Sequence, residues 1–144
     1  MKIQQHIIYK LFVFGFFFMN LIDLQAQHPK IYSVERDSKD FLVTKLLLNN
    51  DNLRADFVRL NDEIEFKIQP SETKLYTYQL KVIVKKGIAS IKILDQNNSI
   101  VNFIEVNKDK DLDEMITKEL KSNQTYRLIL KGENFKGKIN LIWK

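Results

Sequence analysis

The sequence predicts an all-β fold: a single antiparallel β-sandwich, jelly-roll-like and of about eight strands, behind an N-terminal signal peptide. Three observations predict it. Most apolar segments alternate with period two, the mark of a strand with one buried face. Clusters of Asn, Asp, Ser, Gly and Pro separate these segments at short intervals. Neither βαβ alternation nor an internal repeat interrupts the pattern.

The elements follow in order. "MKIQQHIIYKLFVFGFFFMNLIDLQAQ" has a charged start at Lys2 and Lys10, then an apolar run from Leu11 to Ile22 broken only by Asn20. "LQA" at 24–26 then offers a small residue for a signal peptidase. These are the regions of a secretory signal, expected to be cut after Ala26. The run is shorter than the roughly 20 residues that span a bilayer, so no membrane span is expected after cleavage. Residues 27–40 are polar and read as a loose N-terminal arm, and 41–144 as the sandwich domain.

Within the domain, "FLVTKLLL" at 41–48 is apolar enough for a strand or a short helix, and "NNDN" at 49–52 is a turn. "LRADFVRL" at 53–60 sets Leu53, Ala55, Phe57 and Arg59 on one face. In "NDEIEFKIQP", Ile64, Phe66 and Ile68 alternate with Glu63, Glu65 and Lys67, and Pro70 ends the strand. "LYTYQLKVIVKKGIASIKILD" at 75–95 carries Tyr76, Tyr78, Leu80, Val82 and Val84 on one face, then Ala89, Ile91 and Ile93 after Gly87. That spacing predicts a hairpin pairing Val84 with Ala89 and Leu80 with Ile93. "IVNFIEV" at 100–106 is a strand with mixed faces, and "NKDKD" at 107–111 a charged loop. "LDEMITKELK" at 112–121 has helical spacing, yet its setting favours a strand from about Met115. "TYRLILKGENFKGKINLIW" at 125–143 predicts a closing hairpin, with Leu130 opposite Ile139 and Tyr126 opposite Trp143 around a loop from Gly132 to Gly137.

Composition narrows the function classes. Removing 26 of 144 residues leaves 118, enough for one domain with a real core. The removed segment holds two lysines and one aspartate, so the formal charge falls from +5 to +4. Charge of both signs is evenly mixed, unlike the clustered Lys and Arg of a nucleic-acid binder, and no nucleic-acid partner is expected. Cysteine is absent, which excludes a lipoprotein anchor, disulfides and thiolate chemistry. No P-loop or dinucleotide fingerprint occurs, and no cofactor is expected.

Residues 62–144 resemble the jelly-roll β-sandwich at the C-terminus of secreted bacterial peptidases, the pre-peptidase C-terminal type. The carriers are "YQLKVIV", "GIASIKILDQNNSIV", "KELKSNQTYRLILKG" and "GKINLIW". The resemblance implies an appendage that binds polymer or assists targeting. No enzyme precedes the domain in this sequence, and no functional residue carries over.

Candidate chemistry is sparse. His28 lies in the arm, beyond the tight geometry that general-base catalysis demands. Asp109, Asp111 and Asp113 are spaced like the start of a calcium loop. The pattern then fails: glycine is missing at its sixth position, and Leu120 stands where a bidentate Glu belongs. No metal is therefore expected, with a weak calcium site at these three aspartates as the alternative. Asp62, Glu63 and Glu65 could pose as an acid/base pair but alternate with Ile64 and Phe66, as a wet strand face does. Tyr76, Tyr78, Tyr126 and Trp143 lie on core faces. Tyr32 and Phe135 fall outside the alternation and are the candidate ligand-binding rings, with Asn134 and Lys136 as polar contacts beside Phe135.

The sequence therefore describes an exported, non-catalytic binding or interaction module. Its partner is a protein or glycan of the cell envelope, in the periplasm or outside the cell. A structural or accessory subunit that pairs through strand edges is the alternative. A carboxylate-based hydrolase comes last.

Overall fold

The computed structural model describes residues 28–33, 40–49 and 52–144. The signal segment 1–26 and the arm positions 27 and 34–39 lie outside the described residues. Among the described residues, no helix is long and apolar enough to cross a membrane. The described residues form eight strands: β1 (Lys30–Ser33), β2 (Phe41–Asn49), β3 (Asn52–Leu60), β4 (Glu63–Gln69), β5 (Lys74–Leu94), β6 (Ile100–Asn107), β7 (Leu112–Leu120) and β8 (Tyr126–Trp143). All pairings are antiparallel. The sequence reading of an all-β, eight-stranded sandwich holds.

The connectivity departs from that reading in one informative way. The two expected hairpins are two long single strands. β5 runs for 21 residues and β8 for 18. They pair with each other from Tyr78↔Trp143 to Leu94↔Arg127. Leu80 lies opposite Leu141, and Ile93 opposite Leu128. Midway the ladder turns a corner. The register of β5 slips between Val84 and Lys86 and again between Lys86 and Ile88. Gly87 takes φ 75° and Asn134 φ 50° there. Bulges bend a strand and shift its inward parity, so that it can leave one sheet and enter another.

Beyond the corner each half acquires its own neighbours. The first half of β5 and the second half of β8 join β7 and β3, giving a layer ordered β2-β3-β8-β5-β7. The other halves join β6 and β4, giving β1-β4-β8-β5-β6. The layers face each other across one core. Leu80, Val82, Ile91, Ile93, Leu128, Leu141 and Trp143 belong to it, as their alternation requires.

The other ambiguous segments resolve simply. Leu112–Leu120 is strand throughout, paired with β5 from Lys74↔Leu120 to Val82↔Leu112. Within the supposed arm, Lys30–Ser33 pairs with β4 and closes one layer as β1, because Ile31 is an apolar residue that the core can bury.

The inward tyrosines keep their hydroxyls satisfied. Tyr76 donates to the Glu72 carbonyl at 2.9 Å, and Tyr126 accepts from the Lys121 N–H at 2.9 Å. Tyr78 reaches across the sandwich, where its hydroxyl accepts from Asn102 Nδ2 at 2.8 Å. Burial pushes the Tyr78 phenol up from 10.0 to about 12, with the Asn102 bond pulling weakly the other way. Between those pH values the unfolded chain has lost this proton and the native chain has kept it. Stability from this group is thus complete below pH ~10 and falls as pH rises towards ~12, by at most about 1.4 kcal/mol per pH unit. Urea melts of the parent and Tyr78→Phe across that window should converge as the pH increases.

Candidate functional site

The four candidate ligand-binding residues do not assemble into one site. Phe135 corrects the sequence reading most sharply. It is 0% exposed, and its ring lies 5.8 Å from that of Phe57. "GENFKG" is not a loop: it is the corner of β8, and the ring turns into the core there. Asn134 is a backbone device, whose N–H donates to Asn61 Oδ1 at 3.0 Å. Lys136 is exposed at the same corner. Tyr32 is 44% exposed on β1, at the edge of the other layer.

Most of the acidic candidates are engaged one by one rather than together. Asp111 accepts from the Val84 N–H at 3.2 Å. Asp113 accepts from Gln79 Nε2 at 2.7 Å and pairs with Lys81 at 3.2 Å, and these bonds hold its carboxyl below the usual range. The Asp109 N–H donates to Asn107 Oδ1. Among the described residues, no group of three or more His, Cys, Asp or Glu is placed to hold a metal ion. Asp62 Oδ1 accepts from the Glu63 N–H at 2.8 Å. Glu65 is 5% exposed and pairs with Arg127 at 3.6 Å.

That last pair opens on a surface the sequence reading missed. Strand register puts Tyr32, Lys67, Arg127, Leu94 and Ile100 in one row across the outer face of the β1-β4-β8-β5-β6 layer. Glu65, Ile129, Lys92 and Phe103 form the adjacent row. The face carries an aromatic ring on each edge strand, with Phe103 47% exposed. From β1 to β6 are four strand spacings, about 19 Å at ~4.8 Å each. Between the rings, Arg127 is held from two sides. One guanidinium nitrogen pairs with Glu65, and the other donates to Asn98 Oδ1 at 2.8 Å. A guanidinium has five N–H donors in a rigid fork, so a fixed Arg127 has donors left for a ligand. The Lys92 ammonium sits 5.4 Å from the Phe103 ring centre and covers one side of it.

Phe103 escaped the sequence reading because β6 is apolar on both parities. Val106 is buried and Ile104 half-buried on one side, while Ile100 and Phe103 are exposed on the other. Only the pairing of Phe103 with Lys92 assigns it outward.

No protein-family model matches the chain, and neither does any curated protein. Solved structures are similar to it. One is a CBM4 structure, at 13% identity over 82% of this chain and 86% of that one, with TM-score 0.45. A second is carbohydrate-binding module CBM6cm-2 of Cellvibrio mixtus lichenase 5A in complex with cellotriose. It is 13% identical over 78% of this chain and 92% of that one, with TM-score 0.43. A third is a family 35 carbohydrate-binding module from an environmental isolate, at 12% identity over 84% and 89%, with TM-score 0.44.

Proposed function

We propose that the chain is an exported, non-catalytic binding module that takes an extended glycan across the outer face of the β1-β4-β8-β5-β6 layer. One observation carries the reading: a face about 19 Å wide with exposed Tyr32 and Phe103 at its edges and the clamped Arg127 between them. Sugar rings have apolar C–H faces that pack on aromatic rings and hydroxyls that accept from fixed N–H donors. The charged start, short apolar run and Ala26 support export to the cell envelope or beyond.

Affinity electrophoresis through gels containing neutral polysaccharides tests the reading. Phe103→Ala should weaken retardation about tenfold, equivalent to ~1.4 kcal/mol, with an unchanged melting temperature. Parent-like retardation by both Phe103→Ala and Tyr32→Ala would remove the outer face from consideration.

A second reading is favoured by β2. This edge strand exposes Leu42, Leu46 and Leu47 at 55%, 45% and 42%. Unprotected apolar edges are templates for strand addition. An accessory subunit pairing there would change oligomeric state on Leu47→Lys, as read by light scattering, while glycan retardation stayed constant.

A further inference from the structure

The corner where β5 and β8 change layers carries more positive charge than its fold requires. Lys85 and Lys86 precede Gly87 on β5, and Lys136 and Lys138 flank Gly137 on β8. Lys86 stands directly opposite Lys136 in the ladder. Like charges in facing positions destabilise a sheet. Beside this pair is a cavity of about 150 Å³ lined by Lys85, Lys136 and Lys138, with Phe57 and Val58 among its walls. A water needs only about 10–15 Å³ in such a measure, so the space holds a group far larger than one water. Its lining also includes Gly137, which lets β8 pass close to β5 at this point. A Cβ there would strike the Ile83 carbonyl and the Phe135 ring.

The lining holds one carboxylate, Asp56, and it is already compensated. Lys138 lies 3.5 Å from it, and Lys45 faces it in register. Thr44 Oγ1 donates to the Asp56 carbonyl at 3.2 Å, so the hydroxyl helps to fix this wall. Among the described residues, Lys85 and Lys136 have no ion-pair partner. Two uncompensated ammoniums beside an apolar wall call for a ligand with an oxyanion on an otherwise packable body. Bulges, which occur next to binding sites more often than chance, shape this same spot.

We infer that the corner cavity binds the oxyanion of an acidic sugar, with Lys85 and Lys136 pairing its charge and Val58 packing against its ring. The inference goes beyond the outer-face reading, because it assigns a second site with its own chemistry. The two sites are separable by mutation.

Titration with polygalacturonate, read by calorimetry, tests it. The parent should bind, and Lys85→Gln with Lys136→Gln should weaken binding at least about tenfold, while retardation by neutral polysaccharide is unaltered. Parent affinity should also fall as ionic strength rises from about 0.01 to 0.15 M, since the Debye length shrinks from about 30 to about 8 Å. An equal loss from Lys118→Gln with Lys121→Gln, at the far end of β7 where Lys118 lies opposite Tyr76, would mean that net charge alone attracts the polymer and would overturn the site. So would no binding by the parent, or an unweakened double variant. Inorganic phosphate that displaces the polymer at equal anion concentration would show a site for free anions, and would overturn the sugar assignment. If Phe103→Ala weakens neutral binding about tenfold while polygalacturonate binding persists, the outer face and the corner are distinct sites, as inferred.

Discussion

Phe135→Ala should cost about 3–5 kcal/mol in a urea melt, the range for truncating a large aromatic core residue. The ring is 0% exposed, tilted against Phe57 at 5.8 Å and opposite Leu60 in the β3–β8 ladder. The cost of such a deletion depends on how far the surroundings can collapse into the space. Here they are pinned. The Gly132 N–H donates to the Asp62 carbonyl at 3.0 Å, and the Asn134 N–H to Asn61 Oδ1 at 3.0 Å. Both bonds tie the β8 corner to the turn between β3 and β4. Asn61 is itself fixed, with its N–H donating to the Asp40 carbonyl at 3.0 Å. The backbone cannot follow the missing ring inward, so the upper half of the range is expected. A loss below about 1 kcal/mol together with lost binding would return Phe135 to the surface and make the corner a loop.

Much of the core was legible because alternation survives whatever the strands pair with. Tyr76, Tyr78, Leu80, Val82, Ile91, Ile93, Leu128, Leu141 and Trp143 face inward in any arrangement that buries one face of each strand. The partner of each strand was not legible. In β5 the inward set passes from even numbers up to Val84 to odd numbers from Ala89, with Gly87 between. In β8 it passes from Leu130 to Ile139 in the same way, between two glycines. A tight turn and a bulged corner leave this same trace. A turn folds the shifted half back on the first, and a bulge carries it into a second sheet. Three antiparallel pairs match within each of the two segments, 80–93 and 126–143. The structure satisfies the same residues by pairing β5 with β8 along their whole length, which buries both strands centrally.

The binding residues were harder to read, for a related reason. Alternation separates inside from outside but does not say which outside positions adjoin. Tyr32 stood out because it lies apart from any long alternating run. Phe103 did not, because β6 has apolar residues on both faces. Arg127 became informative only when register placed it between Lys67 and Leu94, within reach of Glu65 and Asn98. The cationic corner was divided between "VKKG" and "FKGK", some fifty residues apart in the chain. Each alone is an ordinary turn flank, and the charge density appears only when β5 and β8 bring them together.

Gly87→Ala should destabilise the protein by about 2–5 kcal/mol. Two costs combine. Gly87 has φ +75°, where an L-residue pays about 1–2 kcal/mol. An added Cβ would also strike the carbonyl oxygens of Glu133 and Asn134, and forcing a group into filled space costs about 1–3 kcal/mol. The obstruction is backbone, and the Asn134 peptide is held by Asn61, so no side chain can swing aside. Asn134→Gly supplies the contrast across the same corner. Asn134 already has φ 50°, its side chain is exposed, and its N–H bond to Asn61 is made by the backbone. Glycine there relieves the positive-φ cost and adds unfolded-state entropy, two terms of about 1 kcal/mol with opposite signs. Its net change should stay within about 1 kcal/mol. Denaturant melts of the two variants should therefore differ severalfold in effect, although both exchange glycine for a side chain, or the reverse, at paired strands. A Gly87→Ala variant within half a kcal/mol of the parent would mean that β5 and β8 do not approach closely at the corner, and the two-layer path of these strands would have to be redrawn.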